Sequence, residues 1–337
     1  MMGGRGGWNG KGADVKRTLG AAVMLVGLLG ACGDDGDGAT PPTSPAVETT
    51  AVPGSDSAAF PVTFTNALGV AELAAPPERV VAVGSAELDV LLALGVVPTT
   101  YVSYDDALLP YQQAAFAGAP APELLSLIDG MPIEQIAATH PDLIVSLSWT
   151  DADNYPLLSQ IAPVVAYVAD PWGDAWQTQV IQIAGALGRA DDGAALIAGV
   201  ESQITAAATA HPELSGATAT FTSVDDGALC SVDLPTSPVL VFLRQLGLQP
   251  TLDDASSPYC EEMSYELLDR IDTDVMLLFG NRDALEASSI YRQLPGVLDG
   301  NAVWLDDTMA NAVNSPTPLA IPAFLDAVAP EMAAAAG

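Results

Sequence analysis

Basic residues are scarce in this sequence, which has 10 Lys and Arg against 42 Asp and Glu and a formal net charge of −32 over 337 residues. Proteins that bind nucleic acid neutralise phosphates with Lys and Arg, so this balance excludes a nucleic-acid partner. The two His and three Cys leave little for a zinc cage or an iron–sulfur cluster. Hydrophobic residues still make up 50% of the chain, enough for the core of one large or two medium domains.

The first 31 residues have the pattern of a secretory signal peptide, with a basic start and an apolar run from Leu19 to Ala31. That run is too short for a transmembrane helix, which needs about 20 apolar residues. Leu-Gly-Ala-Cys at 29–32 resembles the bacterial lipobox, which is cleaved before a diacylated cysteine. The resemblance predicts removal of residues 1–31 and a lipid anchor on Cys32, while an ordinary signal peptide with a chance Cys is the alternative.

Residues 32–59 are rich in Gly, Pro, Ser, Thr and Asp and have scarcely any large apolar side chain. Such a composition cannot bury a core, so it predicts a disordered tether. Four of the ten basic residues lie before Cys32, so the cleaved chain keeps six Arg and no Lys. We expect its folded body to lie outside the cell, attached to the outer face of the cytoplasmic membrane through the lipid anchor alone.

The remaining chain alternates short apolar runs with longer helical patterns, which is typical of α/β folds. We expect one αβ lobe over residues 60–170, a helical connection over 171–211 and a second αβ lobe over 212–337. Gly188 and Gly193 interrupt the helical connection, which is therefore two helices or one broken helix. The predicted strands are Val80–Val83, Pro98–Val102, Leu143–Leu147, Val164–Val168, Ala219–Val224, Val275–Phe279 and Ala302–Leu305, and the predicted helices include Glu87–Leu94, Pro132–Thr139, Pro238–Leu246, Ser264–Arg270 and Pro322–Val328.

Six segments between residues 60 and 330 occur in an order typical of one protein family. They are FPVTFTNALGVAELAAPPERVVAVGSAELDVLLALGVVP, GMPIEQIAATHPDLIVS, Trp176–Gly188, FLRQLGLQP, MSYELLDRIDTDVMLLFG and YRQLPGVLDGNAVWLDD. Together they resemble the class III solute-binding lipoproteins of bacterial ABC importers, which capture ferric siderophores, haem and cobalamin. The resemblance implies an opening hairpin and an α/β fold of two Rossmann-like lobes joined by a single rigid connecting helix. It also implies a receptor that binds its ligand between the lobes, with little lobe movement, and not an enzyme.

Two other function classes are weighed against a transport receptor. An extracytoplasmic α/β hydrolase is disfavoured, because the sequence has no Gly-x-Ser-x-Gly motif and neither His follows a late strand. The other class is an adhesion or signalling lipoprotein that kept the fold but lost transport. Glu134 and Glu266 argue against it.

Glu134 and Glu266 match the acids with which members of this family dock onto arginines of the membrane permease. Glu134 lies in Pro-Ile-Glu-Gln-Ile of the first lobe, and Glu266 lies in Ser-Tyr-Glu-Leu-Leu of the second. One carboxylate on each lobe would align the cleft with the permease and speed the encounter. The alternative at each position is an ordinary exposed acid in an acid-rich chain.

Cys230 and Cys260 are the two cysteines that remain when Cys32 is lipidated. An even number of cysteines in an oxidising compartment favours a disulfide between them. Two buried free thiols are the alternative, and a metal site is disfavoured because a third ligand is missing.

The cleft of an open α/β fold is lined by loops at the carboxyl ends of its strands. Tyr104 and Trp149 are expected there, either stacked against a large chelate or packed as part of the protein. Arg282 directly follows a strand and would offer a forked donor to an anionic or carbonyl-rich ligand. The predicted ligand contacts are Ser85, Tyr104, Trp149, Asp225, Tyr259 and Arg282, and the same loops carry Glu87, Asp105, Thr150, Asp226 and Asn281.

The shortage of basic residues also limits which chelates the cleft is expected to bind. A trianionic catecholate complex would require several cations in the cleft, whereas a near-neutral ferric hydroxamate requires fewer, so we favour a hydroxamate-type siderophore. Haem or cobalamin is the alternative, and Tyr104, Tyr259 or Tyr291 would be the candidate axial ligands for haem.

His140 lies in the turn before Pro141, and His211 lies before Pro212 at the end of the helical connection. We expect both to be structural or solvated and not ligands of a metal or of the cargo. Iron would arrive already chelated, so we expect no metal ligand and no cofactor on the protein itself. The expected partners are the chelate and an ABC permease, bound by a monomer.

Overall fold

The computed structural model describes residues 60–104, 107–116, 118–171, 173–252 and 260–337. The predicted signal peptide, Cys32, the predicted tether, Asp105 and Tyr259 lie outside the described residues. The described residues belong to one compact unit, and none of their helices is long and apolar enough to span a membrane.

The first lobe begins with an antiparallel hairpin of β1 (Val62–Asn66) and β2 (Gly69–Leu73). Asn66 closes the turn, because its side-chain oxygen accepts a hydrogen bond from the Leu68 N–H at 3.0 Å. Its side-chain amide donates to the carbonyl oxygen of Val164 at 3.1 Å and so ties the hairpin to the rest of the lobe. The predicted opening hairpin is confirmed.

The centre of the first lobe is a parallel sheet whose strands alternate with helices. Its elements are β3 (Val80–Val83), α1 (Ser85–Ala93), β4 (Thr100–Ser103), α2 (Pro110–Ala115), β5 (Glu123–Ser126), α3 (Ile133–Ala138), β6 (Leu143–Val145), α4 (Tyr155–Leu158) and β7 (Val164–Val165). The strands lie in the order β5-β4-β3-β6-β7 and are all parallel. Every residue of β3 is buried, as expected for the central strand of a sheet with both faces covered.

Strand β5 is missing from the sequence prediction because it lies at the edge of the sheet. Its sequence Glu-Leu-Leu-Ser has one buried residue and no β-branched one, so it lacks the usual strand pattern. The predicted strands Pro98–Val102 and Leu143–Leu147 are present with shifted ends, since β4 begins at Thr100 and β6 ends at Val145.

Helices α5 (Trp176–Ala186) and α6 (Ala190–Ala210) follow the first lobe. The predicted break occurs at Gly188, whereas Gly193 lies inside α6 against Ala184 of α5. Helix α5 packs on α1 and β1, and α6 contacts both α5 and helices of the second lobe. The single long connection is therefore α6, whose 21 residues extend about 31 Å.

The second lobe is built on a mixed sheet. Its elements are β8 (Thr218–Asp225), β9 (Ala228–Val232), α7 (Pro238–Gln245), β10 (Gln249–Pro250), β11 (Cys260–Ser264), β12 (Val275–Gly280), α8 (Arg282–Ala287), α9 (Pro295–Asp299), β13 (Ala302–Trp304), α10 (Asp307–Asn314) and α11 (Ala320–Ala336), with 3₁₀ helices at Pro212–Leu214, Tyr265–Ile271 and Tyr291–Gln293. The strand order is β11-β9-β8-β12-β13, with β10 beside the start of β8. Strand β9 is antiparallel to β8 and β11, whereas β8 is parallel to β10 and β12.

Two predicted helices of the second lobe differ from the observed elements. The segment Ser264–Arg270 forms 3₁₀ turns over Tyr265–Ile271, which are interrupted by a kink at Leu267, where the backbone angles are not helical. The final helix extends beyond Pro322–Val328 to cover Ala320–Ala336, even though Pro330 lies inside it.

One hydrophobic core includes residues from both lobes. It contains Leu88 and Tyr101 of the first lobe and Phe221, Phe242 and Phe324 of the second, each at most 1% exposed. The rings of Phe242 and Phe324 meet edge to face with their centroids 5.7 Å apart. Because the packing is continuous, the lobes share one core in addition to the connection through α6.

A buried polar contact joins the lobes at Asp89 of α1. Its Oδ2 accepts a hydrogen bond from the Thr317 hydroxyl at 2.6 Å, and its Oδ1 accepts one from the Gln112 side-chain amide at 2.7 Å. The Thr317 hydroxyl oxygen also accepts from the Ala320 N–H at 3.0 Å, at the start of α11. Burial raises the pKa of Asp89 from its ordinary 3.8 to about 7, although the bonds from Thr317 and Gln112 act in the opposite direction.

Cys230 and Cys260 form a disulfide, with their Cα atoms 5.4 Å apart. The bridge joins the adjacent antiparallel strands β9 and β11, in which Cys230 lies opposite Glu262 and Cys260 lies opposite Val232. The predicted disulfide is confirmed, and it crosses the strand pair diagonally.

Removal of this disulfide should destabilise the protein. Its cysteines are 30 positions apart. The double variant Cys230→Ser, Cys260→Ser should therefore lose about 3–4 kcal/mol of unfolding free energy, because the unfolded chain regains loop entropy. Urea denaturation measures the change. Wild-type protein under reducing conditions is the control and should lose a similar amount, whereas an unchanged midpoint in both would contradict the prediction.

Asp89 should give the stability a specific pH dependence. Its raised pKa means that the folded protein binds a proton that the unfolded chain releases between about pH 4 and about pH 7, so stability falls as pH rises through that window. Asp89→Asn removes this contribution and should flatten the dependence by up to about 1.4 kcal/mol per pH unit. The exposed Asp326→Asn of α11 is the matched control, and an identical pH slope for wild type and Asp89→Asn in urea titrations would contradict the prediction.

Candidate functional site

Each lobe has one point where the sequence order of its parallel strands reverses, lying between β3 and β6 in the first lobe and between β8 and β12 in the second. Open α/β sheets bind ligands outside the carboxyl ends of the strands at such points. We call the residues at these ends the first-lobe rim, residues 84–87, 104 and 146–150, and the second-lobe rim, residues 225–226, 280–282 and 304. The two rims contain every predicted contact residue that the structure describes.

Two aromatic side chains form the outer part of the first-lobe rim. Tyr104 follows β4 and is 48% exposed, whereas Trp149 follows β6 and is partly buried. Their ring centroids are 4.7 Å apart and their planes are tilted by 57°. The structure therefore brings the two predicted aromatic contacts together as a pair that presents apolar surface next to the strand ends.

Glu87 lies beneath this pair, in the first turn of α1, and is fully buried. Its Oε1 accepts hydrogen bonds from the backbone N–H groups of Leu147 at 2.6 Å and Ser148 at 3.0 Å. Within the described residues, its Oε2 has no hydrogen-bond partner. Burial raises the pKa of Glu87 from 4.5 to about 7, because it outweighs the lowering effect of the backbone hydrogen bonds.

Gly84 is required where β3 turns into α1. Its φ of +111° belongs to the region that favours glycine. A β-carbon there would also collide with Glu87 Oε2 and would lie 2.9 Å from the Trp149 indole nitrogen. Glycine thus leaves room for the Glu87 carboxyl and the Trp149 indole beside the same backbone position.

Hydroxyl groups complete the first-lobe rim. The Ser85 hydroxyl lies 3.0 Å from the hydroxyl of Tyr101, a buried residue of β4, so this predicted contact residue forms a hydrogen bond within the lobe. The hydroxyls of Ser146 and Thr150 are buried and have no hydrogen-bond partner within the described part of the chain. The Ser85 hydroxyl therefore has a partner within the protein, but the residue is still partly exposed on the rim.

The second-lobe rim is held together where β8 and β12 end. Gly280 has a φ of +98°, and a β-carbon there would collide with the Val224 carbonyl oxygen. That oxygen accepts the Asn281 N–H at 2.8 Å. The Asn281 side chain donates to Asp226 and accepts from the Ala284 N–H at 3.1 Å, so it fixes Asp226 and caps α8.

Arg282 is the first residue of α8 and is exposed, as its predicted position after β12 requires. Its Nε donates to Glu286 Oε1 at 2.6 Å, and its guanidinium carbon lies 5.3 Å from the centre of the Trp304 ring. The cation is therefore oriented by a carboxylate and an aromatic face, and it is partly neutralised.

Asp225 connects the second-lobe rim to the predicted docking segment. Its side chain is exposed, and its backbone carbonyl accepts a hydrogen bond from the Tyr265 hydroxyl at 2.7 Å. The next residue is Glu266, exposed in the first turn of its 3₁₀ helix, and Glu134 is exposed in the first turn of α3. The exposure that docking requires is therefore present on both lobes.

The histidines lie away from both rims. His140 occupies a turn with a φ of +49°, and His211 follows the end of α6. Among the described residues, no group of three or more His, Cys, Asp or Glu side chains could hold a metal ion.

Sequence reasoning did not single out Trp304, and it placed Glu87 at the junction of a strand-end loop and the predicted helix Glu87–Leu94 without recognising its burial. Trp304 is the last residue of β13 and lies one residue before the end of the predicted strand Ala302–Leu305, so its position near the carboxyl end of a strand was the available signal. No comparable signal marks Glu87, because an acid in the first turn of a helix is ordinarily solvated.

Comparison with known proteins identifies the family. The chain matches the periplasmic binding protein family over residues 80–299. The structure of a periplasmic solute-binding protein from Mycobacterium smegmatis str. MC2 155 is 32% identical, with a TM-score of 0.74 over 82% of this chain and 99% of that chain. None of the curated proteins matches the chain.

A second relative is the iron uptake ABC transporter substrate-binding protein PiaA from Streptococcus pneumoniae TIGR4. It is 27% identical, with a TM-score of 0.70 over 82% of this chain and 99% of that chain. A structure of PiaA in complex with ferrichrome is 26% identical, also with a TM-score of 0.70, over 82% of this chain and 98% of that chain.

These matches confirm the predicted class III fold and the resemblance to the solute-binding proteins of ABC importers. They also confirm a binding protein of a transport system in place of an enzyme, and the family supports the predicted extracytoplasmic location. The chain belongs to the periplasmic binding protein family.

Proposed function

We propose that this protein captures a ferric siderophore, with a hydroxamate-type complex favoured, between its two rims and delivers it to an ABC permease. The main support for the proposal is that each rim carries aromatic side chains. Tyr104 and Trp149 form a pair on the first-lobe rim, and Trp304 lies beside Arg282 on the second-lobe rim. Aromatic faces suit a large, rigid chelate with much apolar surface. The ferrichrome held by PiaA is itself a hydroxamate siderophore, which supports this ligand class.

The charge of the rims supports a near-neutral complex. Arg282 is the one basic residue of the two rims, and Glu286 partly neutralises it. Asp225 and Asp226 are exposed on the same rim. A trianionic catecholate would meet more negative than positive charge there, which costs affinity at short range.

Haem or cobalamin is the alternative cargo within the same transport class. Haem would need an axial side chain, and Tyr291 is unsuited because it is 3% exposed. Tyr104 is exposed but its ring lies against Trp149. The described residues thus favour a ligand that arrives with its iron fully chelated and takes no ligand from the protein.

We also propose, from the sequence alone, how the protein is attached to the membrane. Cys32 would carry the lipid anchor, residues 32–59 would form the tether, and a single copy would present its ligand to the permease. Glu134 and Glu266 would be the docking residues, one on each lobe.

Ligand titration tests the proposed cargo. Ferrioxamine and ferrichrome should quench the tryptophan fluorescence of the mature protein saturably, and ferric enterobactin should bind more weakly because of its charge. Trp149→Ala should weaken binding about tenfold by removing one stacking face.

Ile181→Ala is the matched control for that variant, because Ile181 is an exposed apolar residue on α5 outside both rims, and it should bind like wild type. Saturable quenching by haem or cobalamin alone would replace the siderophore assignment. No saturable binding of any of the five compounds would contradict the proposed function.

Uptake by cells tests the docking residues. Glu134→Arg combined with Glu266→Arg should abolish uptake of the labelled chelate, because the reversed charges repel basic residues of the permease, while binding in solution stays unchanged. Glu213→Arg with Glu331→Arg makes the same charge change at exposed positions of the second lobe and should leave uptake intact. Uptake at the wild-type rate by the first variant would rule out the docking role.

A further inference from the structure

The loop after β6 connects a buried carboxyl to the aromatic pair of the first-lobe rim. Glu87 Oε1 accepts the N–H groups of Leu147 and Ser148, and the next residue is Trp149. We propose that Glu87 is a positioning residue of the ligand site, which fixes residues 147–149 and thereby the pose in which Trp149 and Tyr104 meet the ligand. This inference rests on the proposed function.

The contacts of Trp149 show how such positioning would work. Its ring packs against Tyr104, and its indole nitrogen and the Glu87 carboxyl both lie within 3 Å of the place that a β-carbon on Gly84 would take. Its backbone carbonyl accepts the Asn154 side-chain amide at 3.1 Å. The loop is therefore held from α1 by Glu87 and from its own far end by Asn154, and loss of the Glu87 bonds would release the part that leads from β6 into the rim.

The cost of burying this carboxyl argues for more than a packing role. A buried oxygen without a hydrogen-bond partner is unfavourable, and Glu87 Oε2 is one within the described residues. The nearby hydroxyls of Ser146 and Thr150, on the same loop, are also unpartnered there. Among the described residues, three buried polar atoms without a partner therefore lie on this loop and on the helix turn that holds it, and each requires an explanation.

The surroundings of Glu87 define how its protonation would act. Asp89, two residues further along α1, is the neighbouring group of like charge, and the Tyr101 hydroxyl of β4 contacts the Ser85 hydroxyl. The loop after β6 contributes backbone N–H groups and the uncharged Trp149. An ionised carboxylate accepts N–H bonds more strongly than a neutral carboxyl. The loop should therefore be held more firmly above about pH 7, where Glu87 ionises, than below it.

A double-mutant cycle on the mature protein tests the positioning role. Glu87→Ala should weaken ferrioxamine binding about tenfold, because the aromatic pair is no longer preorganised. In a Trp149→Ala background the same change should have less than about a twofold effect, because the residue through which Glu87 acts is gone. Equal losses in both backgrounds would show a general structural role and overturn the proposal.

The conservative variant Glu87→Gln provides the second arm and remains informative if Glu87→Ala does not fold. Its amide oxygen can still accept the two N–H groups, so binding should stay within about threefold of wild type while the pH dependence is lost. Wild-type affinity should rise between about pH 6 and about pH 8. Asp89→Asn is the matched control and should keep that rise, and a rise that persists in Glu87→Gln would overturn the proposal.

A measurement without ligand separates this inference from the proposed function. Iodide quenching of Trp149, taken as the difference between each protein and its Trp149→Phe form, should be greater in Glu87→Ala than in wild type and should decrease in wild type from about pH 6 to about pH 8. If no chelate binds, the proposed function fails while this result still tests the positioning. Identical quenching in wild type, Glu87→Ala and Glu87→Gln would overturn the positioning itself.

Discussion

Two buried carboxyls in the first half of α1, those of Glu87 and Asp89, each bind a distant segment of the chain to this helix. Glu87 holds the loop that enters the first-lobe rim, and Asp89 holds Thr317 at the start of α11 in the second lobe. Two residues along a helix point to different sides, so one short segment can serve two interfaces. The hydrogen bonds to both carboxyls come from neutral groups, namely backbone amides, a hydroxyl and a side-chain amide. They lower the pKa by less than burial raises it, so the pKa of each carboxyl is about 7. Through these hydrogen bonds, α1 fixes two particular segments, the loop after β6 and the start of α11, against the hydrophobic core.

The rims follow from the way parallel sheets are built. The central strand β3 is buried along its whole length, so its residues are apolar and cannot themselves contact a ligand. Polar and aromatic side chains become available only where the strands end, and Gly84 and Gly280 allow the chain to turn there. Tyr104, Trp149 and Arg282 occupy such positions, which is why residues far apart in sequence gather at the same edges.

The sequence was sufficient for the central strands, because Val80–Val83 and Val275–Phe279 are continuous apolar runs bounded by turn residues. It was insufficient for β5, whose edge position removes the hydrophobic pattern. Among the rim residues, the strand-end pattern predicts the positions of Trp149 and Arg282 but does not reach Trp304, because Trp304 belongs to the strand itself. The burial of Glu87 and Asp89 depends on tertiary contacts with residues 60 and 228 positions away, and no local pattern records those contacts.

In the proposed function, the shortage of basic residues explains how the protein would select near-neutral chelates over anionic ones. Arg282 is fixed between Glu286 and the Trp304 ring, so it offers an oriented donor and little free positive charge. Asp225 and Asp226 lie on the same rim, and the chain around it is strongly acidic. A rim of this kind discriminates by repelling anionic chelates as much as by attracting neutral ones. Affinity must then come from aromatic surface, which makes the pose of Trp149 and Tyr104 the feature on which binding of a near-neutral chelate depends.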